Sequence, residues 1–162
     1  MTSKVKRFFQ HAIIFLISFV TYSLIELVFK TVTGSGSNHL SMGFVAGIAG
    51  VLAINGLNSI WLTYDLDFLL QGAICALFIT ILEFMAGLTW NTDYAIWDYR
   101  ELPLSFGNGH VNIIFTFFWF LLSLLFIPIF DYIDWKIFKF RPETPPYYIV
   151  FGRKVFQFKI KF

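Results

Sequence analysis

The sequence predicts an all-α integral membrane protein with four transmembrane helices and with both chain termini on the cytoplasmic side. Three observations predict this fold class. The 162 residues are 57% hydrophobic and only 14% charged, whereas a soluble domain has about 25% charged residues. The mean hydropathy is +0.70. Ten of the twelve lysines and arginines lie before the first or after the last long apolar segment. Too little polar surface remains to cover a soluble globule, so lipid is the expected surrounding.

Four segments are long enough to cross a bilayer, whose hydrocarbon core of about 30 Å needs roughly 20 apolar residues in a helix. They are Phe8–Phe29, Leu40–Ile60, Phe68–Leu88 and Val111–Phe130. The glycine- and serine-rich stretch Thr33–Asn38 predicts a flexible connection, and Trp61–Asp67 predicts a short turn with two acids. We therefore expect a four-helix transmembrane domain at residues 1–135, with a structured polar outer loop at 89–110, and a basic, aromatic tail at 136–162.

The distribution of cations predicts the orientation of the spans. Only Lys30 and Arg100 lie in the connections that follow the first and third segments. Lysine and arginine are enriched in cytoplasmic loops, and an even number of spans places both termini on one side. The loop between the third and fourth helices then faces outward.

Polar residues recur at helical spacing and predict a compact bundle with a polar vestibule on its outer side. The sets are His11, Ser18, Tyr22 and Glu26; Gln71, Cys75, Glu83 and Gly87; and Asn112, Thr116, Trp119 and Ser123. On the second helix the pairs Gly43–Gly47 and Ala46–Gly50 place small residues four apart, which allows two helix backbones to approach closely.

Two acids, Glu26 and Glu83, fall within the outer parts of predicted spans. A charged side chain at the centre of a bilayer costs about 2.5–3.5 kcal/mol on insertion scales. The functional interpretation is that one or both bind a cation, carry a proton or hold a substrate amine. The structural interpretation is that each caps a backbone N–H of the loop or pairs with Arg100.

The outer loop supplies the remaining candidates for binding a substrate or an ion. The full set is Glu26, Glu83, Trp97, Asp98, Tyr99, Arg100, Asn108, His110 and Asn112. In a structural interpretation Asp98 and Arg100 form an ion pair that fixes the loop, and Trp97 and Tyr99 anchor it at the membrane interface. His110 then begins the fourth helix as a hydrogen-bonded residue.

No firm metal site is predicted, although carboxylate and imidazole groups are metal ligands and three residues offer them: Glu83, Asp98 and His110. The chain has no phosphate-binding G-x-x-x-x-G-K-[ST] motif and therefore no ATP site of its own, nor has it G-x-S-x-G or H-E-x-x-H. Its single cysteine, Cys75, excludes a disulfide within the chain. Nucleic-acid binding is not expected, because no recognition motif accompanies the charge.

The tail after Pro145-Pro146 comprises Tyr147–Phe151, Gly152 and then Val155–Phe162, in which aromatic residues alternate with lysine and glutamine, and it could form a hairpin. Such a segment can dock on anionic lipid or on a cytoplasmic partner. It can equally be a positive tail that only fixes the orientation of the protein.

Several of these residues resemble one family of small bacterial membrane proteins, the ABC-transporter type IV family. The matching motifs are Glu83-Phe-Met-Ala-Gly87, Trp97-Asp98-Tyr99, Leu102-Pro103, Asn108-Gly109-His110 and Phe118-Trp119. The resemblance covers Leu70–Asp131, and Glu26 also agrees with the family pattern. This chain has His110 where the family has arginine, and of the segment before the second span it retains only Met42-Gly43-Phe44 and Gly47.

The resemblance implies a multi-pass protein of the bacterial cytoplasmic membrane that acts as a permease-like or accessory transport subunit. Because four spans make only a thin pathway in a monomer, we expect a second copy or a membrane partner. ATP-driven work would need a separate ATPase subunit, since the chain has no ATP site of its own. Two other functions stay open. One is a non-catalytic scaffold or regulator of an envelope protein. The other is an enzyme acting on a lipid or envelope substrate through Glu83 or Asp98 with His110.

Overall fold

The computed structural model describes residues 3–33, 40–57, 65–140 and 145–159. The protein is mostly helical, with long apolar helices at α1 (Ser3–Thr33), α3 (Phe68–Trp90) and α4 (Ile113–Tyr132). Helix α4 continues as a short π-helical segment, Ile133–Ile137. The three apolar helical stretches are Ser3–Val32, Phe68–Trp90 and Ile113–Ile137, with 30, 23 and 25 residues. Each is therefore long enough to cross a bilayer.

Helix α2 (Leu40–Ala49) continues as a π-helical segment, Gly50–Gly56. Together they form an apolar helix of 16 residues, Ser41–Gly56. Even with the α-helical rise of 1.5 Å per residue, 16 residues extend only about 24 Å, which is less than the hydrocarbon core of about 30 Å. Residues 58–60 of the predicted second span, residues 34–39 of the predicted flexible connection and residues 61–64 of the predicted turn lie outside the described residues.

The boundaries of α1 and α4 differ from the prediction. Helix α1 extends past the predicted span at both ends, so Lys30 lies within the helix and not in a connection. Helix α4 begins at Ile113 because the two preceding residues form strand β2 (Val111–Asn112), which pairs antiparallel with β1 (Ser105–Phe106). The Asn112 side chain then caps α4 by accepting from the backbone N–H of Ile114 at 2.8 Å.

The small residues of α2 and of its π-helical continuation face α1 at very short range. A Cβ atom added at Gly50 would lie 2.0 Å from Ser18 Oγ, and one added at Gly47 would lie 2.5 Å from the ring of Phe15. The close approach that the small pairs predicted is therefore present in the structure. Helix α3 packs mainly on α4, where the hydroxyls of Thr80 and Thr116 are 3.0 Å apart.

The two ends of the helical bundle carry different structures. The end at which α3 finishes and α4 begins carries residues 91–112 and is called the loop end. The opposite end carries a hairpin of β3 (Tyr147–Val150) and β4 (Arg153–Gln157) and is called the hairpin end. Between them lies a core whose most buried members have no exposed surface: Ile14, Ala53, Cys75, Ile127 and Phe130.

Candidate functional site

A cavity of about 380 Å³ lies at the loop end, between α1, α3, α4 and the loop. Most of its wall is apolar and comes from α1 and α4: Ile25, Phe29, Phe115, Phe118, Leu122 and Leu125. Ile25 and Phe29 on α1, and Phe118 and Leu125 on α4, are each about half exposed at the outer surface of the bundle. The cavity therefore opens sideways between α1 and α4, where a membrane protein meets lipid. Its volume falls within the range of small-molecule sites.

Glu83 of α3 lies at the polar end of this cavity and has no exposed surface. Its Oε1 accepts a hydrogen bond from the Tyr99 hydroxyl at 3.2 Å, and its Oε2 accepts one from Trp119 Nε1 at 3.3 Å. Both donors are neutral groups. The carboxyl is therefore oriented by α4 and by the loop, but neither bond supplies a positive charge.

Tyr99 is fixed by contacts on two sides of the loop. Its backbone N–H donates to the carbonyl of Gly109 at 3.0 Å, and its ring stacks on Phe115 with centroids 4.8 Å apart. Burial raises the pKa of the Tyr99 hydroxyl, and the neighbouring Glu83 raises it further. The hydroxyl therefore stays protonated and remains a donor to Glu83. Trp119 is similarly held by stacking on Tyr22, at 5.3 Å between centroids.

Glu26 also lines the cavity, but its carboxylate is paired. Lys30 Nζ lies 2.7 Å from Glu26 Oε1, one helical turn further along α1. A glutamate four residues before a lysine is a favourable arrangement on a helix. The predicted pairing of either acid with Arg100 is not observed, because Lys30 lies within α1 beside Glu26 and because Arg100 has another partner.

That partner is Asp98, as the structural interpretation of the loop predicted. Arg100 Nη2 lies 2.6 Å from Asp98 Oδ2, and Arg100 Nε lies 2.9 Å from Asp98 Oδ1. The hydrogen bonds from Arg100 lower the pKa of Asp98 from 3.8 to about 2. Because this pKa is depressed, the ion pair holds at any pH above about 4 and is lost only as the pH falls through about 2.

Arg100 and His110 both stack on Tyr94. The guanidinium carbon of Arg100 is 3.9 Å from the centre of the Tyr94 ring, and the His110 ring is parallel to it at 4.8 Å. His110 is also packed tightly against Gly87, where an added Cβ would lie 2.6 Å from His110 Cγ. These contacts hold the loop on the end of α3. Neither Arg100 nor His110 is among the residues that line the cavity.

The remaining candidates, Trp97, Asn108 and Asn112, take part in hydrogen bonds that involve backbone carbonyls of the loop. Trp97 Nε1 donates to the carbonyl of His110 at 3.0 Å, and Trp97 packs against the buried cluster of Met42, Val45 and Ala86. The carbonyl of Asn108, a residue with a φ of 57°, accepts from the Tyr94 hydroxyl at 2.8 Å. The fully buried Asn112 donates to the carbonyl of Pro103 at 2.8 Å, besides capping α4.

Asn91, at the end of α3, organises the loop although the sequence did not single it out. It is fully buried, its Oδ1 accepts from the backbone N–H of Ile96 at 2.8 Å, and its Nδ2 donates to the carbonyl of Trp97 at 2.6 Å. The helical spacing of the sequence identifies Trp119 only as a member of a polar stripe on the fourth helix. A useful signal was present, because a buried tryptophan N–H usually finds an acceptor.

Among the residues that the structure describes, no three histidine, cysteine, aspartate or glutamate side chains lie together as a metal-binding group. The three residues considered as metal ligands instead face different partners. Glu83 meets Tyr99 and Trp119, Asp98 meets Arg100, and His110 meets Tyr94.

The comparisons with known proteins add no relative. No family model, no curated protein and no solved structure matches this chain.

Proposed function

We propose that this chain is a small multi-pass membrane protein of transport type, permease-like or accessory, that binds an amphiphile with a cationic head group in the cavity at the loop end. The observation that carries this proposal is Glu83, a fully buried carboxyl at the polar end of an otherwise largely apolar cavity. An ionisable group within a membrane-spanning helix is a functional candidate in its own right.

The proposal includes a topology of four spans with both termini in the cytoplasm. It counts the short helix α2 as a span in addition to α1, α3 and α4. It also follows the accumulation of lysine and arginine before the first and after the last apolar segment of the sequence. The loop end then faces outward, and the cavity lies at the depth of the outer leaflet. The family resemblance favours the bacterial cytoplasmic membrane as the location, and a second copy or a separate ATPase as partners.

The charge of the ligand follows from the partners of the two acids. Lys30 neutralises Glu26, whereas Glu83 has no ion-pair partner within the described parts of the chain. An ionised carboxylate removed from water is costly unless an opposite charge accompanies it. A cationic head group beside Glu83 would supply that charge, and the aromatic faces of Phe115, Phe118 and Tyr22 would add cation–π attraction.

The apolar body of the ligand follows from the shape of the site. The wall opposite Glu83 consists of leucine, isoleucine and phenylalanine side chains, and the gap between α1 and α4 allows a chain to enter from the bilayer. An anionic amphiphile would be repelled by Glu83 when the carboxyl is ionised. We therefore expect a clear preference for cationic over anionic amphiphiles of equal length.

A flux measurement tests the transport function. Purified protein in liposomes should accelerate the movement of radiolabelled dodecyltrimethylammonium across the bilayer, and Glu83→Gln should remove the acceleration. Glu101→Gln is the matched control, because Glu101 is an exposed acid of the loop that does not line the cavity. Binding of the probe without any protein-dependent flux would contradict transport and favour a scaffold.

Replacing Lys30 with Gln should strengthen the binding of dodecyltrimethylammonium. The substitution leaves the carboxylate of Glu26 without its Lys30 partner beside the cavity, where the side chains of both residues are less than one-fifth exposed. The cationic probe would then pair with Glu26 as well, and we expect a gain of roughly tenfold in affinity, which corresponds to about 1.4 kcal/mol. Equilibrium dialysis in nanodiscs checks the result, with Lys136→Gln at the hairpin end as the control. Weaker binding to Lys30→Gln would contradict the proposed charge of the ligand.

A further inference from the structure

We propose that the tip of the β3–β4 hairpin is an interfacial anchor that binds the anionic head groups of the leaflet at the hairpin end. The tip is defined by Phe151, Gly152, Arg153 and Lys154. This inference goes beyond the transport function, because the tip lies at the end of the bundle opposite to the cavity.

The position of the tip is fixed by the start of α3. Asp67 caps this helix, and its Oδ1 accepts from the backbone N–H of Leu69 at 2.9 Å. The other carboxylate oxygen of Asp67 accepts from the backbone N–H of Phe151 at 2.6 Å. The tip therefore lies at the level where the apolar helix α3 enters the membrane.

A second contact holds the hairpin rigidly in this place. The Tyr148 side chain is 3% exposed, and its hydroxyl donates to Asp131 Oδ2 of α4 at 2.7 Å. Its ring also packs against Phe68 at 4.9 Å between centroids. The hairpin is thus attached to α3 and α4 together and is not a loosely attached tail.

The surface that the tip presents combines apolar and positive side chains. Phe151 is 84% exposed, Val155 and Phe156 are at least half exposed, and the intervening Arg153 and Lys154 are exposed as well. Aromatic residues with neighbouring cations are suited to the boundary between head groups and acyl chains. Lysine and arginine side chains near an anionic leaflet are attracted to its negative surface potential.

The conformation of Phe151 gives further support. Phe151 and Gly152 form a two-residue turn in which both have positive φ, 48° and 74°. Such turns favour asparagine or aspartate before the glycine, and a bulky residue in the left-handed region is strained. This strained turn has a large aromatic ring at the outermost point of the hairpin, which is the position that an interfacial anchor requires.

The charge balance at the hairpin end leaves the cations free for lipid. Asp67 accepts the backbone N–H of Phe151, and Asp65 accepts the hydroxyl of Tyr147. Neither Arg153 nor Lys154 forms an ion pair in the described part of the chain, although Lys154 Nζ lies 4.2 Å from the centre of the Tyr147 ring. A negatively charged surface is therefore the complementary occupant.

Spin labelling tests the proposal on the intact protein. A nitroxide is attached at Phe151→Cys in a Cys75→Ala background, and the protein is placed in bilayers of phosphatidylglycerol mixed with phosphatidylcholine. We expect the label to be more accessible to oxygen, which dissolves in lipid, than to a water-soluble nickel chelate. The matched control is a label at Asp93→Cys, an exposed loop position that should show the opposite preference.

The role of charge is tested with the same label. In the variant Arg153→Gln/Lys154→Gln, and also in pure phosphatidylcholine, accessibility to nickel should rise at least severalfold. A label equally accessible to nickel in all of these samples would overturn the proposal. A label shielded from both reagents would also overturn it, since the tip would then contact protein, such as a second copy of this chain.

Discussion

Glu83→Gln should weaken the binding of dodecyltrimethylammonium roughly 30-fold or more. Truncating one member of a buried, hydrogen-bonded charge pair typically costs about 2–5 kcal/mol, and each 1.4 kcal/mol corresponds to about tenfold in affinity. Glutamine has nearly the same size as glutamate and can still accept from Tyr99 or Trp119 through its amide oxygen. The substitution therefore removes the charge while leaving the cavity in place.

Isothermal titration of the probe into nanodiscs measures this effect, and Glu101→Gln provides an acid-to-amide change outside the cavity. Thermal unfolding of both variants checks that the fold is retained. Unchanged affinity in a folded Glu83→Gln variant would show that the Glu83 carboxylate does not bind the probe. A comparable loss in Glu101→Gln would show that the general charge of the loop, and not the cavity, attracts the probe.

Gly109→Ala should be among the most destabilising single changes, with a loss of about 3 kcal/mol in the free energy of unfolding. Gly109 has a φ of +82°, and an added Cβ would lie 2.3 Å from Arg100 Cγ and 2.8 Å from the Arg100 backbone nitrogen. Strain at positive φ costs about 1–3 kcal/mol, and overpacking adds about 1–3 kcal/mol. Relief requires the loop to move, because one of the clashing atoms is backbone.

The same change should also weaken the binding of dodecyltrimethylammonium. The carbonyl of Gly109 accepts a hydrogen bond from the N–H of Tyr99 and thereby positions the Tyr99 hydroxyl, which donates to Glu83. Gly152→Ala is the matched control: its φ is +74°, but an added Cβ would meet no atom within 4 Å. It should lose only about 1 kcal/mol from backbone strain. Thermal unfolding in detergent compares the two variants. Equal losses would mean that the contact with Arg100 does not restrict the loop.

The helices that the sequence located best are those with strong local signals. The predicted third span and α3 both begin at Phe68, since the preceding Asp67 caps the helix and the apolar run is unbroken. Helix α1 is longer than its apolar segment, since the helix also includes charged turns at both ends. These turns contain Lys4, Lys6, Arg7 and Lys30. Hydropathy measures the length of a lipid-facing segment and does not detect charged helical turns beyond it.

The sequence placed Glu26, Glu83 and Tyr99 at one end of the bundle, and all three line the cavity. It did not separate these residues from Asp98, Arg100, Asn108, His110 and Asn112, which instead support the loop. The separation depends on the backbone path of the loop. Asn108 has positive φ, and Asn91 binds Ile96 and Trp97 from within the fold. Hydropathy and residue spacing carry no signal for such long-range polar contacts.

Modification of Glu83 by dicyclohexylcarbodiimide, with and without the cationic probe, tests the central claim most directly. This apolar reagent enters from lipid and reacts with a protonated carboxyl, whereas a bound cation requires the carboxylate and occupies the same space. Peptide mass spectrometry should find the adduct on Glu83 in the wild-type protein, and dodecyltrimethylammonium should suppress it while dodecyl sulfate does not. Absence of an adduct on Glu83 in the folded protein, or labelling that the cationic probe leaves unchanged, would contradict a cavity that binds a cationic amphiphile through this residue.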